Sequence, residues 1–98
     1  MSQRVQVSIR NATPRDIDVL TDFNCRLAAE TEDKPLDLAT VRSGVTRGLS
    51  VGAEVRYFVA ETDETIVGQL MLTREWSDWR DGWIVWLQSV YVLSDYRG

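Results

Sequence analysis

The chain has 98 residues, room for one small domain and no more, and its 44% apolar and 27% charged residues are the balance of a soluble globular fold. Eleven basic against fifteen acidic residues give a net charge of −4, and the scattered arginines form no cluster that would neutralise nucleic-acid phosphates. With no histidine and a single cysteine, Cys25, an internal disulfide, CxxC chemistry and Ser-His or Cys-His nucleophiles are excluded, and no metal site is expected because only carboxylates would be left to ligate one.

No apolar run approaches the length of a membrane span, and Met1-Ser2-Gln3-Arg4-Val5 opens no apolar signal core, so a cytoplasmic protein without membrane contact is the expectation. Val5-Gln6-Val7-Ser8-Ile9-Arg10 alternates apolar and polar side chains, which predicts a half-buried strand. Thr13-Pro14-Arg15-Asp16 reads as a helix start. Thr13 caps, Pro14 fits the first turn where its N–H is not needed, and Asp16 sits where it can reach back. Ile17, Leu20, Asn24, Leu27 and Ala28 follow at helical spacing, with Val19 and Phe23 widening the apolar face, so this helix is expected to run to about Glu30.

Residues 31–35 form a polar connection, and Asp37 is placed to cap a second helix. Leu38, Val41, Val45 and Leu49 lie on one stripe of it, while Gly44 and Gly48 weaken it, so a short or mobile helix is predicted. A loop over 50–54 leads to a strand over 55–61 and a turn over 62–65. A long strand over 66–76 contains Gly68, the mark of a bulge or a close contact. Residues 77–82 turn the chain and 83–92 return it. The order β-α-α-β-β-β predicts an α+β fold in one domain over 1–98, with the last three strands in an antiparallel meander.

Four tryptophans fall between Trp76 and Trp86, around the tight-turn signal Asp81-Gly82. Trp83 and Trp86 are an odd number apart and point to opposite faces, as do Ile84 and Val85, so both faces of this strand are apolar and both need cover. The hairpin has two readings. It lines a pocket in which Glu75, Asp78 and Asp81 hold a cationic amine against indole rings, or it is a packed ribbon in which Arg74 and Arg80 neutralise those acids.

The chain closes on Leu87-Gln88-Ser89-Val90-Tyr91-Val92-Leu93-Ser94-Asp95-Tyr96-Arg97-Gly98, a buried strand, a short polar bend and then Arg-Gly. This resembles the acetyl-CoA-binding strand of the GNAT N-acetyltransferases, in which an apolar-x-Val strand leads into a loop of the type Arg/Gln-x-x-Gly-x-Gly/Ala. Arg97 matches the loop's first position and Gly98 its second, and Val67-Gly68-Gln69-Leu70 is similar to the family's usual third strand. The strand order is also that of the family's first half. The resemblance implies a partial GNAT fold that stops within the pyrophosphate loop, and hence an N-terminal fragment expected to be inactive by itself.

The same resemblance implies acetyl-CoA as co-substrate. Main-chain groups of Val90, Tyr91 and Val92 would contact the pantetheine amides as a sheet edge does, in a groove that a bulge in the fourth strand opens, with Arg97 and Gly98 beginning the phosphate nest. It places the acceptor, a small-molecule amine, near the first interhelix segment and the hairpin, with Glu30, Glu32, Trp76, Asp78 and Trp86 as its candidate contacts. Some family members carry a general-base Glu on the fourth strand. Here that strand offers Trp86, Gln88 and Ser89 instead, so Glu75, at the end of the third strand, is the substitute candidate, and direct attack by a neutral amine without a base is the alternative. The competing reading is a non-catalytic association module, a homodimer formed through the open sheet edge or the Trp-rich face.

Overall fold

The computed structural model describes residues 6–63 and 65–97. Its elements are β1 (Ser8–Asn11), a 3-10 turn (Pro14–Asp16), α1 (Ile17–Glu32), α2 (Leu38–Val51), β2 (Val55–Thr62), β3 (Thr65–Ser77), β4 (Gly82–Val92) and a second 3-10 turn (Ser94–Tyr96). The strands form one antiparallel sheet in the order β1-β2-β3-β4, with the predicted meander over its last three members. The architecture is α+β, as expected for a partial GNAT fold.

Local chemistry explains most boundaries. Asp16 accepts from the Thr13 N–H at 2.8 Å and from both Arg10 Nη atoms at 2.8 and 3.0 Å, so the capping residue also ties α1 to β1. α1 runs two residues past the expected Glu30, because Asp33 adopts a left-handed conformation (φ 50°) and its N–H and that of Lys34 both close on the Ala28 carbonyl. β1 begins at Ser8, later than the alternation suggested, because its ladder to β2 starts at the Ser8–Glu61 pair; Val5 lies outside the described residues.

α2 is not short. Asp37 caps it through the Thr40 N–H (3.0 Å) and hydroxyl (2.6 Å), and it continues for 14 residues. Gly48 has a packing role there: a Cβ would stand 3.0 Å from the Tyr57 ring, so its absence lets the helix settle onto β2. Gly68 likewise admits the β4 main chain, with a Cβ position 3.2 Å from the Tyr91 carbonyl oxygen.

Both helices lie on one face of the sheet. Leu20, Val45, Tyr57 and Val59 form the centre of the core, and Ile17, Val41, Leu49 and Met71 pack around it. The opposite face carries Ile9, Leu72, Val85 and Leu87, and no helix among the described residues covers it; Ile9, Val85 and Leu87 are each more than 60% exposed. β2 ends opposite Thr73, so the last four residues of β3 pair only with β4, and the Trp-rich hairpin projects as a two-stranded ribbon beyond the sheet. No helix among the described residues is long and apolar enough to cross a membrane.

Candidate functional site

β4 is an edge strand, hydrogen-bonded to β3 and to no other strand among the described residues. Its register breaks once. Gln69 lies opposite Tyr91 but Met71 lies opposite Gln88, so Leu70 faces two residues, Ser89 and Val90. Ser89 takes the left-handed conformation (φ 53°), which makes this a β-bulge. The Gln69 Nε2 group donates to the Ser89 carbonyl at 2.9 Å from within the core. Past the bulge the Leu93 N–H donates to Val67 O at 2.9 Å, and strand alternation turns the main-chain groups of Val92 and Val90 to the open edge.

A cleft of about 360 Å³ runs along that edge, walled by Leu27, Glu30 and Thr31 of α1 and by Val90, Val92 and Arg97. Five candidates meet here: Glu30, Val90, Tyr91, Val92 and Arg97. Tyr91 O–H donates to Glu30 Oε2, Arg97 Nη2 donates to Glu30 Oε1 at 2.8 Å, and Arg97 Nε donates to Val92 O at 2.6 Å. The guanidinium also stands 5.2 Å from the Tyr91 ring centroid, and that ring packs on Phe23 at 5.2 Å. The Tyr91 hydroxyl, and then Arg97, hold the Glu30 carboxyl below the usual carboxylate range. Glu30 in turn pushes both the Tyr91 hydroxyl and the Arg97 guanidinium up. Gly98, the second loop position, lies outside the described residues.

The hairpin candidates divide between faces. Thr73 pairs with Trp86 and Glu75 with Ile84 on the helix side, where Trp86 Nε1 donates to Glu75 Oε1 at 2.9 Å and Gln88 Nε2 donates to Thr73 Oγ1. Trp76 pairs with Trp83 on the other side, edge-to-face at 5.3 Å. Trp76 and Trp86 therefore do not line one pocket, because the pleat sends them to opposite faces. Asp78 sits in the exposed turn and Glu32 is exposed at the end of α1. The salt-bridged ribbon is not formed either: Arg74 stacks on Trp83, 4.1 Å from the ring centroid, and reaches toward Glu54 at 3.9 Å.

Glu75 stands opposite Ile84, seven residues from Tyr91, which is about 20 Å of strand. That is too far for it to exchange a proton with anything seated on the Val90–Val92 edge. Gln69 and Ser89 appear in the sequence only as members of their strands, with no role in the site. Gln69 had a signal, a polar side chain on the interior face of an otherwise apolar strand; Ser89 had none.

The model of the acetyltransferase (GNAT) family matches residues 17–98, more than four-fifths of the chain. The chain belongs to the GNAT acetyltransferase family. Among solved structures this GNAT chain is similar to a possible acetyltransferase from Clostridium difficile 630, at 41% identity and a TM-score of 0.87 over 96% of the chain. It spans 61% of that protein's length. At 16% and 21% identity it shares the fold of a predicted acetyltransferase from Clostridium acetobutylicum, solved with acetyl-CoA (TM-score 0.75, 95% of this chain, 64% of that one), and of a probable acetyltransferase (TM-score 0.77, 92% and 60%). A comparison with curated proteins returns no match.

Proposed function

We propose that this GNAT chain supplies the acyl-carrier strand and one acceptor wall of an acetyl-CoA-dependent N-acetyltransferase acting on a small-molecule amine in the cytoplasm. The observation that carries the reading is the β4 edge: a bulge at Ser89–Val90, followed by outward main-chain groups along an open cleft. A pantetheine arm carries two amides and no charge, and an unpaired strand edge is the protein surface that matches such a partner. Acetyl-CoA would supply an activated acyl carbon. The amine nitrogen forms the new C–N bond, the C–S bond breaks, and the thiol leaves with a proton.

The chain's own residues hold the reactants. Glu30 and Tyr91 fix α1 against β4 and so set the width of the cleft. Trp86 and Glu75, joined by the indole N–H, offer a carboxylate beside an aromatic face on the helix side of the ribbon. We assign Glu75 to holding a second, cationic group of the acceptor rather than to general-base work, since it stands so far from the cleft; the reacting nitrogen, neutral on arrival, would need only correct placement. Calorimetric titration of the full-length protein with acetyl-CoA, followed by mass analysis of a panel of amines, tests the reading. Saturable heat and a single acetylated amine are expected. A folded protein that gives no heat with acetyl-CoA would sink it.

A second reading, homodimerisation, is favoured by the open face of the ribbon, where Trp76, Trp83, Val85 and Leu87 are each at least half exposed. Light scattering across concentration tests it, and a monomer throughout removes it.

A further inference from the structure

We infer that Gln69 is the positioning residue of the acyl-carrier groove: its amide holds Ser89 in the left-handed conformation and so keeps the β4 bulge in place. This rests on the acetyl-CoA reading above. The sheet itself states what the bulge accomplishes. Gln88 and Tyr91 are three residues apart, so in a regular strand they would point to opposite faces. Here both lie on the helix face, Gln88 bonded to Thr73 and Tyr91 packed on Phe23. Slipping out the extra residue would keep one half of β4 in register and turn the other over. Either Tyr91 would leave Glu30 and Phe23, or Gln88 and Trp86 would leave Thr73 and Glu75.

The left-handed Ser89 needs a holder. A non-glycine residue there is disfavoured, and serine lacks the local hydrogen bonding that helps Asn or Asp. Gln69 is 5% exposed, its Nε2 reaches the Ser89 carbonyl, and that bond fixes which end of the amide faces β4. Its Oε1 is buried with no hydrogen-bond partner among the described residues. A buried amide with one end unsatisfied is a poor choice for stability alone, because an apolar side chain of similar size would remove the orphaned acceptor. What the side chain contributes here is the donated bond to Ser89.

The test is a set of variants of the full-length protein, read by melting temperature and acetyl-CoA titration. Gln69→Leu fills the same volume and deletes the orphaned acceptor, so the melting temperature changes little while acetyl-CoA binds about tenfold more weakly, the equivalent of one lost hydrogen bond. Ser89→Gly on top of Gln69→Leu restores most of that affinity, since glycine holds the left-handed conformation without help. Amide exchange across residues 88–93 rises in the single variant and falls back in the double. Unchanged acetyl-CoA affinity in Gln69→Leu overturns the inference, as does a loss that Ser89→Gly leaves uncorrected. If Gln69→Leu fails to fold, Gln69→Met serves, since it keeps the unbranched shape and has no N–H or O–H to donate. An unmodified protein that ignores acetyl-CoA would defeat the functional reading instead, and the exchange measurement would still judge the bulge.

Discussion

Glu30 accepts the hydroxyl of Tyr91, 61 positions later in the chain, and this bond, with that from Arg97 to the same carboxylate and the packing of Phe23 on the Tyr91 ring, seats the last turns of α1 on the edge strand. Tyr91→Phe keeps the ring on Phe23 and removes only the hydroxyl. We expect a loss of about 1 kcal/mol, the net worth of a typical hydrogen bond, with faster amide exchange over the end of α1 and a severalfold higher KM for acetyl-CoA. Chemical denaturation with exchange mass spectrometry checks it; an unchanged α1 would mean that the helix end is held elsewhere.

The Arg10–Asp16 pair sets an acid limit. The Asp16 carboxyl is held below its ordinary value of 3.8, chiefly by the bond from Arg10 and against the opposing effect of burial. A depressed folded pKa means that the folded state binds this proton less readily than the unfolded chain. The contribution of Asp16 is thus whole at neutral pH and is lost as the medium falls from about pH 4 through the folded value. Asp16→Asn should cost about 2 kcal/mol near neutrality, less than a fully buried pair because Arg10 is a quarter exposed, and should flatten the acid decline in urea midpoint. Glu30 and Asp37 are depressed as well, so some slope remains.

The two glycines of α2 predict opposite signs. A Cβ at Gly44 meets nothing within 4 Å, so Gly44→Ala should stabilise by about 0.5–1 kcal/mol through helix propensity. Gly48→Val should destabilise by about 1–3 kcal/mol, because its side chain would enter the space of the Tyr57 ring. Thermal melts of the two variants side by side decide it.

The indole–carboxylate pair should affect one substrate and not the other. Glu75→Gln is expected to raise KM for a cationic acceptor about tenfold while leaving KM for acetyl-CoA within twofold, given the distance of the pair from the cleft. Steady-state kinetics with each substrate varied in turn is the measurement. An equal rise in both would return Glu75 to the reacting centre.

The meander, both helix caps and the opposite facing of Trp83 and Trp86 were legible because each depends on local chemistry or on a period of two. The extent of α2 was not. Its glycines weaken an isolated helix, but only the folded chain shows that Gly48 exists for Tyr57, nine residues on. The hairpin also reads as a single cluster of tryptophans in sequence, whereas pairing divides it into two surfaces. The meeting of Glu30, Tyr91 and Arg97 joins a helix end to a distant strand, and no spacing rule reaches across such a gap. The left-handed Ser89 lies further still from sequence, since its conformation is imposed by a side chain twenty residues earlier.

That one distorted serine also bears on how the molecule behaves in a crowd. A smooth, half-bare sheet margin is a template on which another chain can zip, rung by rung. At Ser89–Val90 the spacing of rungs fails, so a foreign strand could match at most the stretch before it or the stretch after it, never both. The kink that we propose as the seat of a small carrier thereby spoils the same margin for an uninvited polypeptide.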